Sequence, residues 1–591
     1  MTEKVLQSIK RVLPATEWAA SYTRADLRGD AVAGLTVGVM LIPQGMAYAV
    51  IAGLPPIYGL YAALVPLLVY PLVGSSRHLA VGPTAIDMLI VAAGVGAMVE
   101  TGTPRYAALA IVLTAMVGLL QIGMGLVKLG FVANLLSRPV ITGLTSAAAL
   151  IIAASQLGNL LGLELGRSQY VHVLIYEALQ RLEAVHILTL AIGLASIGLL
   201  LAIQRWAPLL PGALIVVMLG EVTSWGLGFQ AEGVRVVGTI PAGLPPLEWP
   251  GMGGIDLRTL LPTAITLALV QFMNVVSLGR VFATRHNYAI DANRELLSIG
   301  AGNLLGSFFQ SIPSAGSFSR SAVNERAGAR TPFANVAAAL VIALTLLFLT
   351  PLFYYLPMPV LAAIIMVAGA GLIDLNELGD LFRTRRRDGF IALFTAGCTL
   401  LIGIQEGILL GIGATMLMVL YRISRPNVAE LGHVPGTRLF RDMDRFDRAE
   451  HLTCILVLRV DAAFSFANAE YFKDFILEKS QRVDEDIRTV VIDGTSINDL
   501  DTTAIEALRS VIEALDEEGI ELYFTGLIGP VREVVIRSGL FDRLGEEHFQ
   551  MSPHDAVVHI LQEWDEGDEG DRVPHYFAQT EQRTPPTPAG A

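Results

Sequence analysis

The chain has 591 residues, 53% of them hydrophobic and only 16% charged, with a formal net charge of −13. Apolar runs near the length of a bilayer-spanning helix recur from about Ala31 to about Tyr421, which argues for a polytopic membrane protein and against a soluble α-rich enzyme. The acidic excess is local: residues 426–591 hold 15 Lys+Arg and 33 Asp+Glu, a net of −18, which leaves +5 for residues 1–425 and argues against nucleic acid as a partner of the C-terminal part.

Residues 1–30 read as a cytoplasmic N-terminal segment. Within it, Val5–Trp18 mixes apolar residues with Lys10 and Arg11, as a short surface-lying amphipathic helix does, and equally as a solvated tail does. No cleavable leader is expected, so the first span is taken as the targeting signal. Residues 31–425 form the membrane region. Up to fourteen apolar segments are predicted, at 31–50, 56–73, 83–99, 105–127, 137–163, 186–203, 208–228, 259–281, 293–312, 318–328, 333–350, 357–375, 388–403 and 405–421. Segments three and ten are shorter than a full crossing. Arg24, Arg28, Arg77, Lys128, Arg205, Arg280, Arg285, Arg326, Arg330, the run Arg383–Arg387, Arg422 and Arg425 fall on one side if every segment crosses. The positive-inside rule makes that side cytoplasmic, with both termini inside; the outer loops are poorer in positive charge, though Arg167 and Arg181 are there.

Beyond a linker at 426–450, strand-like and helical runs alternate. Leu452–Val460, Arg488–Ile492 and Ile520–Phe524 read as strands and Ala504–Leu515 as a helix, a small α/β domain over 451–565. The tail 566–591 is acidic, then rich in Pro and Thr, and is expected to be disordered. Cys398 and Cys454 offer neither metal spacing nor a disulfide framework, and no metal or cofactor is expected.

Two apolar segments are interrupted. The first reads Val81-Gly82-Pro83-Thr84-Ala85-Ile86-Asp87, the second Pro313-Ser314-Ala315-Gly316-Ser317-Phe318-Ser319-Arg320-Ser321. Unpaired backbone is not tolerated against lipid, so such breaks survive where they line a cavity, and a matched pair in two halves points to a transporter's binding site. A half-helix that starts near the midplane presents free N–H groups and the positive end of its dipole, and two facing each other suit an anion. Thr84 and Ser319 add hydroxyls, and Arg320 adds a charge too costly in a membrane to be incidental. The plainer alternative is that Pro83 and Gly316 only kink packed helices. On the first span Gln44 and Tyr48 are four apart and share a face, which suits oxyanion contacts or an interhelical hydrogen bond.

The run Ile42-Pro43-Gln44-Gly45-Met46-Ala47-Tyr48 followed by Pro55-Pro56-Ile57-Tyr58-Gly59-Leu60-Tyr61-Ala62-Ala63 resembles the hallmark of the SulP anion transporters, the sulfate permease type related to prestin. So do Gly74-Ser75-Ser76-Arg77-His78, Gly306-Ser307-Phe308-Phe309 and Gly316 to Asn324. The C-terminal domain resembles the STAS domain that this family carries, through Asp493-Gly494-Thr495 and Asp501-Thr502-Thr503-Ala504. The resemblance covers about residues 20–565. It implies fourteen segments in two inverted repeats of seven, a core domain (segments 1–4 and 8–11) moving against a gate domain (5–7 and 12–14), a homodimer, and a substrate between the starts of segments three and ten. Carried over by motif, the substrate site is Gln44, Tyr48, Pro83, Thr84, Ala85, Ser319 and Arg320.

The chain departs from the family where coupling acids are usual. Proton-coupled members resemble it around Phe272-Met273-Asn274 but hold a glutamate at the Asn274 position, a sodium-coupled bicarbonate branch holds an aspartate there, and some relatives carry an acid at the position of Gln44. Amides cannot titrate or supply a carboxylate to a cation. Asp87 is the remaining core acid, either a carrier of a co-transported proton or a structural partner for a nearby donor; Glu406 in the gate reads as a structural pairing. Thr502 and Thr503 are placed for N-capping and, alternatively, for phosphorylation. The expectation is a multi-pass transporter of the cytoplasmic membrane for small inorganic oxyanions, sulfate first and bicarbonate next, coupled to a proton or sodium or not at all. It makes and breaks no bond. The rivals are an uncoupled anion channel or exchanger and a membrane-tethered STAS signalling scaffold.

Overall fold

The computed structural model describes residues 18–19, 22–134, 137–165, 170–207, 211–250, 257–481 and 487–566. The Val5–Trp18 segment (Trp18 apart), Arg167 and the tail beyond Glu566 lie outside them. The chain divides into two compact units, Met1–Thr415 and Met416–Ala591.

Each of the fourteen predicted segments coincides with a helix. These are α1 (Arg24–Ile51), α2 (Ile57–Val73), α3 (Ala85–Gly96), α4 (Pro104–Leu126), α5 (Arg138–Ser155), α6 (Ile187–Trp206), α7 (Gly212–Leu227), α8 (Leu257–Arg285), α9 (Ala292–Ser307), α10 (Phe318–Arg326), α11 (Phe333–Leu344), α12 (Met358–Ala370), α13 (Arg386–Leu401) and α14 (Ile404–Ser424). Eight helices among the described residues are long and apolar enough to cross a bilayer. Helix α1 starts earlier than its apolar run because Thr23 and Asp26 form a reciprocal capping box ahead of it. Helix α9 ends before its predicted limit at residue 312, as the chain turns through Gln310 at φ 59°. Amphipathic helices at Val171–Gln180 and Leu375–Thr384 went unpredicted because each is short and flanked by charge.

The packing is reciprocal. Helix α4 lies on α9 as α11 lies on α2, and α5 lies on α13 as α12 lies on α6. Two interlocked copies of a seven-helix unit require this pattern, each pair being the other displaced by seven helices. Close approach fixes the first of these contacts. A Cβ on Gly118 of α4 would stand 2.7 Å from the Gly300 carbonyl oxygen, and one on Gly300 would stand 2.9 Å from that of Gly118. Two buried carboxylates tie loops to the bundle. Asp30 of α1 accepts the N–H groups of Arg330 and Thr331 and the Tyr22 hydroxyl. Glu295 of α9 accepts the Ser75 N–H at 2.8 Å, the Ser75 hydroxyl at 2.7 Å, the Ser76 N–H at 3.1 Å and the Tyr70 hydroxyl at 2.9 Å.

Strands β1 (Val81–Gly82) and β2 (Ala315–Gly316) belong to the first unit; the second unit carries a six-stranded sheet in the order β4-β3-β5-β6-β7-β8. Its strands are β3 (Val428–His433), β4 (Phe440–Asp442), β5 (Ile455–Val460), β6 (Thr489–Asp493), β7 (Glu521–Thr525) and β8 (Phe549–Gln550), and β5 to β8 run parallel. Strand β5 shows why its sequence is continuously apolar. Leu456, Leu458 and Val460 face a core with α15 (Ala469–Ser480) and α16 (Thr502–Glu517), while Ile455 and Val457 face Ala556, Val557, Ile560 and Leu561 of the C-terminal helix Pro553–Glu566. The strand starts after its apolar run because Cys454 turns the chain at φ 64°.

A candidate anion site between two half-helices

The two breaks meet. Val81–Gly82 and Ala315–Gly316 pair as short antiparallel strands β1 and β2, with Val81 opposite Gly316 and Gly82 opposite Ala315. Backbone stripped of helical partners deep in the bundle needs others. Asn335 of α11 donates to the Leu79 carbonyl at 2.9 Å and accepts the Val81 N–H at 3.4 Å. Asn324 donates to the His78 carbonyl at 3.0 Å, and the Ser321 hydroxyl accepts the Ala80 N–H at 2.9 Å. On the second break, Asn303 Oδ1 accepts the Ser314 N–H at 2.8 Å, and Asn274 Nδ2 donates to the Gly316 carbonyl at 3.4 Å.

Each strand feeds the N-terminus of a half-helix. Thr84 caps α3 in an extended conformation, and its hydroxyl accepts the Asp87 N–H at 3.3 Å. Ser317 stands at the cap position of α10 and makes no side-chain capping bond, so the first-turn N–H groups of α10 lack a side-chain acceptor.

Gln44, Tyr48, Thr84, Ala85, Asn274, Ser317 and Ser319 line one cavity of about 1490 Å³. Of the residues carried over by motif, the structure thus brings Gln44, Tyr48, Thr84, Ala85 and Ser319 together at one surface. Pro83 and Arg320 are buried behind it. Arg320 is 0% exposed, and none of its three guanidinium nitrogens has a hydrogen-bond partner. Its Nη2 lies against the break: a Cβ on Gly82 would be 3.3 Å away. Gln44 Oε1 is likewise buried without a partner. Asp87 is buried behind Thr84, within electrostatic reach of Arg320, and accepts a hydrogen bond from Gln271 at 3.1 Å.

Other expected contacts take a different form. Asp501, not Thr502 or Thr503, caps α16: its carboxylate accepts the Ala504 N–H at 2.9 Å and the Phe466 N–H at 2.7 Å. The carboxylate occupies the extended cap position, and the two threonines occupy the first helical turn, exposed. Glu406 is exposed in the first turn of α14 and has no ion pair or hydrogen bond among the described residues, so the expected pairing is absent. Gln121, Gln271, Asn303 and Asn335 went unremarked in the sequence. Each is an isolated amide inside an apolar run, which is the signal that would have found them.

Residues 27–395 match the sulfate permease family, and residues 448–556 match the STAS domain. The chain is 34% identical over 594 residues to "sulfate transporter 4.1, chloroplastic" of Arabidopsis thaliana, covering 95% of this chain and 84% of that protein. It is 35% identical over 536 residues to a "probable sulfate transporter" of Mycobacterium tuberculosis, covering 91% and 96%. In fold it is similar to the murine Slc26a9 anion transporter in the inward-facing state (TM-score 0.86, 23% identity, 94% of this chain and 95% of that one). It is also similar in fold to the transmembrane domain of a cyanobacterium bicarbonate transporter, BicA (TM-score 0.57, 24% identity, 67% and 98%). With fourteen helices built around paired breaks and an α/β domain following them in the sequence, the chain belongs to the sulfate permease family of multi-pass membrane anion transporters and carries its STAS domain.

Proposed function

We propose that the protein is a secondary transporter of small inorganic oxyanions, sulfate before bicarbonate, which binds the anion between the N-termini of α3 and α10. It works by alternating access, the core helices α1–α4 and α8–α11 carrying the anion past the gate helices α5–α7 and α12–α14. One observation carries the reading. A fully buried arginine whose nitrogens all lack hydrogen-bond partners is a costly arrangement unless an anion completes it. The two helix N-termini, the hydroxyls of Thr84 and Ser319, and the polar groups of Gln44 and Tyr48 then divide the oxygens of the anion among them. Sulfate ranks first because the relatives named above are described as sulfate transporters.

The protein sits in the cytoplasmic membrane with both termini inside, as a homodimer, and the exposed Thr502 and Thr503 are open to phosphorylation. A second reading, uncoupled exchange or a channel, is favoured by one contact: Asn274 spends its amide on the Gly316 carbonyl, a bond no ionised acid donates. Uptake of labelled sulfate into liposomes, with and without an inward proton gradient, separates the two. Uptake stimulated by the gradient supports symport, gradient-independent uptake supports the second reading, and no sulfate uptake at all defeats the substrate assignment.

A further inference from the structure

Behind the cavity runs a closed set of buried side chains. The Ser314 N–H donates to Asn303 Oδ1 at 2.8 Å. Asn303 Nδ2 donates to Gln271 Oε1 at 3.0 Å and to Gln121 Oε1 at 3.2 Å, and Gln121 Nε2 donates to Gln271 Oε1 at 3.0 Å. Gln271 Nε2 donates to Asp87 Oδ2 at 3.1 Å. All four side chains are buried, so none of them turns to water instead.

The direction of this chain is forced. A backbone N–H only donates, so Asn303 must present its oxygen to Ser314 and its nitrogen to Gln271. Gln271 then has its oxygen occupied and must present its nitrogen to Asp87. Oδ2 of Asp87 is therefore an acceptor whether the carboxyl is ionised or neutral, and an added proton has to sit on Oδ1. The Thr84 hydroxyl stands one helical turn away, accepts the Asp87 backbone N–H at 3.3 Å and lines the anion cavity. From the other helices packed on α3, Arg320 of α10 is the charged group within electrostatic reach of Asp87 among the described residues, and Tyr48 of α1 lies within reach of Arg320.

We infer that Asp87 and Thr84 form a proton-operated donor switch for the anion site, with Gln271, Gln121 and Asn303 as positioning residues that set its direction. With Asp87 ionised, the Thr84 hydroxyl donates to Oδ1 and turns a lone pair toward the cavity, which repels an oxyanion. With Asp87 protonated, the new O–H donates to Thr84 Oγ1, and the threonine hydrogen swings into the cavity to donate to the anion. One proton taken up adds one donor to the site and removes one negative charge from beside Arg320; no covalent bond beyond the O–H is made or broken. The inference rests on the proposed binding site and supplies its link to a proton.

The test is sulfate affinity of the full-length purified protein between about pH 5 and about pH 8.5, a range that brackets a carboxyl moved by its surroundings. Sulfate stays a dianion throughout. The native protein should bind about tenfold more weakly at the alkaline end, the size of one charge-assisted hydrogen bond. Asp87→Asn donates to Thr84 permanently while still accepting from Gln271, so its affinity should hold at the native acid-end value at every pH. Thr84→Val should bind about tenfold more weakly with most of the pH dependence gone, and Thr84→Ser should restore both. Asp87→Asn/Thr84→Val should match Thr84→Val alone. A Thr84→Val protein that keeps the full native pH span overturns the hydroxyl switch and leaves a bare charge effect; an Asp87→Asn protein that still responds to pH overturns it by assigning the titration to another group. If Thr84→Val and Arg320→Ala both bind sulfate as the native protein does, the binding site itself is elsewhere. Should Thr84→Val not fold, Thr84→Ala takes its place with the same expectations, because it too removes only the hydroxyl's part in the switch.

Discussion

Arg320 Nη2 faces the side of Gly82 that carries no side chain: a carbon added there would meet Arg320 Nη2 at 3.3 Å and Leu41 Cδ1 at 3.4 Å. Gly82 also holds φ 149°, a conformation that L side chains rarely adopt. Gly82→Ala should therefore strain the backbone by about 1–3 kcal/mol and push the guanidinium out of line. The expected result is a purified, monodisperse protein with sulfate affinity reduced at least about tenfold. Native affinity in Gly82→Ala would mean that the guanidinium does not depend on the space this glycine leaves.

Asn335 should matter to stability more than to ligand. Its amide serves the Leu79 carbonyl and the Val81 N–H, both in backbone that has left its helix. Asn335→Leu keeps the volume and orphans both groups, at a cost of about 1–3 kcal/mol. Thermal unfolding in detergent should shift down accordingly, and an unchanged unfolding temperature would show that other partners satisfy the break.

Glu295→Gln should also destabilise, although it is nearly isosteric. The N–H groups of Ser75 and Ser76 hold the glutamine oxygen at the Oε1 position, so its NH2 is left facing the Tyr70 hydroxyl, which must give up donating and turn to accept, and every bond in the set loses its charge assistance. A loss of about 2–3 kcal/mol is expected from the charge-assisted bonds. Equal stability of Glu295→Gln and the native chain would contradict the assigned contacts.

In the STAS unit, burial and then the nearby Arg438 push the imidazole of His554 below its ordinary value. The unfolded chain thus binds a proton at His554 more readily than the folded one does. Folding carries no penalty above the ordinary histidine value of about 6.5 and an increasing one as pH falls below it. Acid unfolding of this unit should be delayed in His554→Gln, read as hydrogen exchange of β5 to β7 at neutral and mildly acidic pH. An unchanged pH response would remove His554 from the account.

Asp501→Ala should loosen the first turn of α16 by about 1 kcal/mol, the typical value of an N-cap, whereas Thr502→Ala/Thr503→Ala should leave it almost unaffected. Exchange at the Ala504 amide is the readout. The opposite order would return the cap to the threonines.

Much of this was legible in the residues. The fourteen segments, the paired breaks and the strand–helix alternation are patterns of hydropathy, glycine and proline, and local chemistry suffices to see them. The contact between the breaks was not legible, because Gly316 follows its partner Val81 by 235 positions (316 − 81). The amide network escaped for a related reason. Gln121, Gln271 and Asn303 each look like one tolerated polar residue in a span, and their joint meaning exists only once α4, α8 and α9 converge. The cap at Asp501 turns on a finer point: Asp, Thr and Thr are all competent caps, and one residue of register decides which is used.

The central claim is that Arg320 awaits an oxyanion between the two half-helices. Sulfate titration of purified Arg320→Ala against the native protein tests it most directly. Arg320→Ala should lose at least about a hundredfold in affinity, the value of a buried charge-assisted pair, with the fold intact by monodispersity and unfolding temperature. Sulfate bound by Arg320→Ala as tightly as by the native chain would contradict it.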